Sequence, residues 1–387
     1  MFNLKNPALL LIITWLFVLI VYSLRASLIL TELNFKTINY IFLVCSSLFF
    51  STVFFKSIFT SRNFKAFNYN LSASNYIPWS NINFIWKIWV LMTTFEIIYF
   101  KGLPFLSVIG ITSGIDRYTE WGIPSLHGLL NAIILTISNF VFLNYLQTQN
   151  RKYLHLFLIC LLWPVLLLTR QLLMSMLLQA ILIFVYYRGI KFKSFFKILG
   201  FIFLITLVFG IIGDIRTGES FLDVAQPADN FPKWLPSGFL WVYIYIVSPL
   251  NNINFNIDNF SLFDINLYPI TSGLLPSFIR DNIITNTSQL KFYLVNDNLN
   301  VSTFFLTYLT SFGLIGSIIF FFMMGFFLNY IFAKYNTSHK PIKWLFVIVV
   351  LTHNVLFSIF VDFFFNLVFI FQITVHLLIW YKIKPVR

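Results

Sequence analysis

Arg170 stands alone in an apolar stretch that runs from Leu154 to Thr169 before it and from Leu172 to Tyr187 after it. A guanidinium is costly at the centre of a bilayer, so the chain must keep this one solvated or paired. Two more arginines lie in polar segments further on: Arg216 in Gly213-Asp214-Ile215-Arg216-Thr217-Gly218, and Arg280 in Pro276-Ser277-Phe278-Ile279-Arg280-Asp281. The planar guanidinium presents paired donors to phosphate oxygens, and three of them together suit a diphosphate. Plainer roles stand beside this one. Arg216 and Arg280 each have an Asp nearby for a local ion pair, and Arg170 alone suits a side chain reaching for the membrane surface.

A second group of chemically capable residues lies in Asp116-Arg117-Tyr118-Thr119-Glu120-Trp121-Gly122-Ile123-Pro124-Ser125-Leu126-His127. A carboxylate or the histidine there can act as general base toward a sugar hydroxyl, and Trp121 can stack on a sugar face. The bland alternative is an interfacial aromatic belt with solvated charges. Glu96 lies in the outer half of the third apolar run, with Lys87 too deep on the same helix for an i,i+4 pair. His353 and His376 sit inside apolar runs and can pair with polar neighbours or take a direct role. The chain shows no His or carboxylate cluster with metal-ligand spacing, no glycine-rich phosphate loop after a strand and no hydrolase elbow.

The elements that must hold these residues are membrane helices. Hydrophobic residues make up 59% of the 387 and charged ones 10%, with a mean hydropathy of +0.83. A soluble domain carries about 25% charged residues, so the expectation is an all-α, polytopic membrane protein forming one integral membrane domain over 1–387. Ten spans are expected: 8–23, 38–55, 81–100, 128–146, 154–169, 172–187, 197–213, 302–333, 344–360 and 366–381. The first lacks a small-residue cleavage site and reads as a retained span. Cys45 and Cys160 both fall within spans, which argues against a disulfide framework or a thiolate metal site.

The net charge of +13 would suggest nucleic acid in a soluble protein. Its distribution gives a different answer. With both termini in the cytoplasm, the inner connections carry Lys56, Arg151, Lys152, Arg188, Lys191 and Lys334, and none contains Asp or Glu. That lysine and arginine excess orients the chain and faces anionic lipid, so no nucleic-acid partner is needed. Two segments then lie outside, 101–127 and 214–301. Within the second, Phe239 to Val247 suits a short helix at the interface. The run from Ser302 to Ile331 is too long for one span and is interrupted by Ser311, Gly313 and Gly316, so a tilted or broken helix is expected. The Arg170 stretch as one helix would reach roughly 50 Å against a hydrocarbon core of about 30 Å. Two antiparallel helices turning at Thr169–Arg170–Gln171 resolve this and leave the turn recessed.

Several short stretches resemble the bacterial O-antigen polymerases, which join oligosaccharide repeat units. They are Gly122-Ile123-Pro124-Ser125-Leu126-His127-Gly128, Thr169-Arg170-Gln171, Gly213-Asp214-Ile215-Arg216, Tyr245-Ile246-Val247-Ser248-Pro249-Leu250 and the Thr303…Tyr308…Phe312-Gly313…Gly316 run. The resemblance spans about residues 80 to 335. Some members carry an Arg with a Gly eleven residues later; none of Arg170, Arg216 and Arg280 has one. The resemblance implies a glycosyltransferase at the periplasmic face of the inner membrane. Such an enzyme moves a growing glycan from one undecaprenyl diphosphate carrier onto the terminal sugar of another carrier's repeat unit. It implies no cofactor or metal, and it leaves room for a chain-length regulator protein as partner. The chemistry of the residues fits this activity independently: Arg170, Arg216 and Arg280 suit the diphosphate, and Glu120 or His127 the base. Gln171 and Tyr118 become hydrogen-bond partners of the substrate.

Three other activities fit parts of the pattern. An O-antigen ligase shares the architecture but delivers the finished glycan to lipid A-core. A flippase for lipid-linked sugars should instead line a central path with charge. A membrane acyltransferase should show a better His–Asp pairing within one buried loop than this sequence offers.

Overall fold

The computed structural model describes residues 3, 5–59, 77–112, 114–115, 120–189, 200, 222, 225–232, 234–276, 279–280, 292–297, 299–337 and 341–380. Among these the chain is helical, with a single isolated bridge between Ser27 and Pro227 in place of any strand. Five helices are long and apolar enough to cross a membrane: Phe35–Phe59, Trp79–Val108, Leu126–Thr148, Arg170–Arg188 and Phe305–Asn336. Shorter apolar helices occupy Pro7–Ser23, Ile342–Phe357 and Leu367–Leu378. The expected span at 154–169 falls on a helix of 16 residues that starts with Arg151 and Lys152. The one expected at 197–213 lies outside the described residues.

In chain order the helices are α1 Pro7–Ser23, α2 Phe35–Phe59, α3 Trp79–Tyr99, α4 Pro104–Val108, α5 Leu126–Thr148, α6 Arg151–Leu166 and α7 Arg170–Arg188. Further along the chain come α8 Ser237–Asn256, α9 Tyr268–Ser272, α10 Phe305–Thr337, α11 Pro341–Phe357 and α12 Leu367–Leu378. Asparagine starts three of them: Asn6, Asn150 and Asn366 each accept a hydrogen bond from the backbone N–H two residues on. This satisfies one of the donors that the first helical turn leaves without an intrahelical partner. Helix α5 is the central post, packed against α3, α6, α7 and α12. Helix α3 stands outside it and exposes most of its surface. Helices α1, α2, α10 and α11 form the other half of the bundle.

The broken helix expected near Ser311–Gly316 is present, and it breaks further than its sequence indicates. At Gly313 the backbone adopts φ 68° and ψ −171° inside α10. On a straight helix, residues 305 and 321 would lie roughly 24 Å apart. The rings of Phe305 and Phe321 are instead 5.5 Å apart, and those of Tyr308 and Phe320 are 4.8 Å apart. Residues 305–312 therefore fold back along 314–321 as a half-helix. The segment 261–266 closes the break. Leu314 N and Ile315 N donate to Ser261 O and Leu262 O, while Asp264 N and Asn266 N donate to Phe312 O and Ser311 O. The open helix ends thus regain partners that a bilayer would not supply.

Helix α8 also departs from expectation. Phe239 to Val247 is the first part of a 20-residue helix that continues through Pro249, and its second half is buried. Four asparagines there fasten distant backbone. Asn251 accepts from Tyr22 Oη and Thr31 N and donates to Ile29 O. Asn252 donates to Leu299 O and Val301 O. Asn254 donates to Glu32 O, and Asn256 donates to Tyr293 O and accepts from Tyr293 N. One helix thereby ties 24–34 and 292–301 together.

The two ends of the bundle separate cleanly. At one end Lys5 Nζ donates to Val185 O, Tyr186 Oη to Lys5 O, Asn6 Nδ2 to Asn329 Oδ1 and Arg188 to Leu146 O. At the other end lie the α1–α2 connection, the break in α10, and Phe304 N bonded to Ser358 O. The candidate site lies at this second, loop-bearing end.

Candidate functional site

The Gly122–His127 stretch leads into α5, and its geometry follows from one glycine. Gly122 has φ +99°, and a Cβ there would come within 2.6 Å of His127 Cγ. Only glycine lets the chain turn this tightly over the imidazole. The ring is thereby delivered to Glu96 on α3, with Nδ1 3.0 Å from Oε2. The other carboxylate oxygen, Oε1, accepts from Ile123 N at 3.0 Å. Glu96 is fully buried and His127 is 7% exposed. The carboxylate thus holds the loop and the imidazole at once. It is the close His–carboxylate pairing that the sequence spacing did not disclose, because its members lie on separate helices.

Trp121 packs beneath this pair. Its ring centroid lies 5.1 Å from that of His127, 5.6 Å from Phe100 and 6.2 Å from Trp163, and its Nε1 donates to Gly102 O at 2.9 Å. At 3% exposure it has no open face for a sugar, so its place is structural. Glu120, the residue before it, is exposed.

Trp163 belongs to the last turns of α6, so the same aromatic cluster reaches the Arg170 hairpin. Helix α6 ends at Leu166, and Thr169 N donates to Pro164 O at 2.9 Å. Leu168 takes φ +60°. The turn is therefore residues 167–169, and Arg170 is the first residue of α7 rather than the middle of the turn. Arg170 and Gln171 are both exposed on the protein surface rather than enclosed by it. Thr169, at the N-cap, makes no side-chain capping bond. A guanidinium, an amide and the positive end of a 19-residue helix share this point, a combination that favours an anion.

Arg280 is half-buried in the turn whose backbone N–H donates to Pro276 O. The chain leading to it is fastened to the start of α12, where Leu367 N donates to Gly273 O at 2.9 Å. Arg216 and Tyr118 lie outside the described residues. The structure thus joins Trp121, His127 and the Arg170 hairpin through one aromatic cluster, and brings Arg280 to the same end of the bundle by a different route.

A second carboxylate at this end escaped the sequence reading as a site residue. Asp362, in the connection between α11 and α12, accepts from Tyr308 Oη at 3.1 Å and from Phe364 N at 2.9 Å. Loss of hydration pushes its carboxyl up to about 6. Tyr308 lies on the half-helix, so this contact depends on the fold-back at Gly313.

His353 and His376 pair with neutral neighbours. His353 Nε2 lies 3.0 Å from Ser175 Oγ and its Nδ1 3.0 Å from Asn354 Oδ1. Asn139 Nδ2 lies 3.4 Å from His376 Nε2 and donates to Gln179 Oε1 at 2.7 Å; Gln179 in turn exchanges bonds with Gln372. These contacts join α5, α7, α11 and α12 across the interior. Comparison of the chain with protein-family models, characterised proteins and solved structures returned no match.

Proposed function

We propose that the chain is an O-antigen polymerase, a glycosyltransferase that joins undecaprenyl-diphosphate-linked repeat units at the periplasmic face of the inner membrane. The observation that carries this reading is the aromatic cluster linking the Glu96–His127 pair to the hairpin that presents Arg170. An acceptor sugar hydroxyl attacks the anomeric carbon of the donor glycan, and the bond from that carbon to the diphosphate oxygen breaks. Negative charge develops on the departing lipid diphosphate, where Arg170, Gln171 and the α7 N-terminus offer preorganised donors. Arg280 and Arg216 are the further cations for that group. The hydroxyl proton passes to a carboxylate. Glu120 is exposed on the same loop and can meet a substrate, whereas His127 is enclosed and committed to Glu96 through Nδ1. In this reading Glu120 is the base and the Glu96–His127 pair positions its loop.

An O-antigen ligase would use the same donor and similar machinery. A flippase fits less well, because the side chains that join α5, α7, α11 and α12 among the described residues are neutral amides, a serine and histidines. Lipopolysaccharide banding in a deletion strain separates polymerase from ligase, and carrier translocation in inverted vesicles lacking the protein identifies a flippase. Loss of a polymerase leaves core plus one repeat unit, and loss of a ligase leaves bare core. Failure of inverted vesicles to translocate the carrier would mean a flippase. Within the polymerase outcome, Arg170→Ala and Arg170→Lys at matched expression both lose polymer, since lysine keeps the charge but not the fork. Normal polymer with Arg170→Lys would reduce Arg170 to a membrane anchor.

A further inference from the structure

The segment 261–267 looks like part of a water-filled loop by its place between short helices, but its surface is apolar. Leu262, Phe263, Ile265 and Leu267 are 66%, 59%, 71% and 55% exposed. Its backbone faces the other way. Ser261 O, Leu262 O, Asp264 N and Asn266 N are all bonded to the broken ends of α10. A strap that gives four backbone groups to the broken helix and turns its large apolar side chains outward suits the boundary of the lipid, where unpaired backbone is costly.

Its level follows from α10. The chain is uncharged from Leu314 to Ala333 and meets its next charge at Lys334. That interval is about 20 residues, and at about 1.5 Å each it measures roughly 30 Å, the thickness of a hydrocarbon core. With Lys334 at one boundary, Gly313 and the strap bonded to it lie at the other. Below the strap, Ile315, Ile319, Met323 and Phe327 form an exposed stripe at helical spacing. The bond from Ile315 N to Leu262 O sets the strap at the head of that stripe, so one apolar surface continues from helix to strap. Asp264, whose side chain accepts from Ile265 N, then falls at headgroup level.

We infer that residues 261–267 are an interfacial anchor, inserted among the lipids of the leaflet at the loop-bearing end and holding the break in α10 at the membrane boundary. This rests on membrane insertion of the apolar helices and is independent of glycosyl transfer.

Spin labels at Phe263→Cys, Ile265→Cys and Leu267→Cys test it, with Asp229→Cys as the exposed reference, in a Cys45→Ser, Cys160→Ser background. The full chain is reconstituted in phosphatidylethanolamine–phosphatidylglycerol vesicles and its collisions with oxygen and with a water-soluble nickel chelate are measured. The expected result is high oxygen and low nickel accessibility at all three strap positions, and the reverse at 229. Nickel accessibility equal to that at 229 would place the strap in water and overturn the inference. Exclusion of both reagents would also overturn it, because a second protein surface would then cover the strap. Three labelled positions keep the test decisive if one label disturbs its own site.

Discussion

Glu96 Oε2 and His127 Nδ1 lie 3.0 Å apart in the interior, and the same carboxylate receives Ile123 N through its other oxygen. The pair therefore does two things at once: it orients an imidazole and it fastens the loop that carries Glu120. Removing the carboxylate takes the partner from Ile123 N and from the buried His127 ring. Glu96→Ala should lower stability by on the order of 3 kcal/mol, read as a lower unfolding temperature in detergent. Glu96→Gln keeps an acceptor for one donor and should lose less. If Glu96→Ala unfolded at the wild-type temperature, the pair would not be holding the loop.

Trp121 offers a contrast. Trp121→Phe keeps most of the ring packing against Phe100, His127 and Trp163 and gives up the bond from Nε1 to Gly102 O. The expected cost is about 1 kcal/mol with polymer still formed, measured by thermal unfolding and by banding in a complemented strain. Loss of polymer at normal stability would mean that Trp121 meets the sugar after all.

Gly313 admits almost no substitution. A Cβ there would lie 2.7 Å from Ser261 O and 3.0 Å from Phe263 Cα, and the φ of +68° with ψ near −171° is open essentially to glycine alone. Backbone strain of this kind costs about 1–3 kcal/mol before any steric overlap is counted. Gly313→Ala should therefore release the half-helix and sharply reduce the yield of monodisperse protein. Gly110 also has positive φ, but a Cβ there meets nothing within 4 Å, so Gly110→Ala should be tolerated far better.

Asp362 makes a pH-dependent contribution with a definite sign. Its carboxyl is pushed up to about 6 because burial disfavours the charged form, and Tyr308 is the side chain bonded to it. A raised carboxyl favours the folded state while it stays protonated. That stabilisation is complete below its ordinary value of 3.8 and is lost as pH rises through about 6. Asp362→Asn keeps an acceptor for Tyr308 and cannot ionise. Its unfolding temperature relative to wild type should rise between pH 4 and pH 7, and a flat difference across that interval would contradict the burial argument.

Much of the architecture was legible in the residues. An apolar composition with few charges demands membrane helices, and runs of known length set where most of them begin and end. Ser311, Gly313 and Gly316 marked a helix that could not continue. The length of the apolar run around Arg170 required a hairpin, although its turn proved to be 167–169, with Arg170 opening the next helix. Helix α8 is longer than its sequence indicates, since Pro249 and a run of asparagines are ordinarily turn formers. Its partners are backbone groups of segments far away in the chain, which no local pattern reveals.

The sequence alone determined the solvent this chain folds in, because burying so much apolar surface is favourable only if lipid or other helices cover it. It also placed Glu96, His353 and His376 in apolar runs, where an unpaired polar group is costly. Which partner each found was decided by tertiary structure alone. Glu96 meets His127 because Gly122 permits a tight turn, and Tyr308 meets Asp362 because a half-helix folds back at Gly313. A sequence sets the cost of leaving a polar group unpaired. Only the packed chain brings the group that removes that cost within about 3 Å.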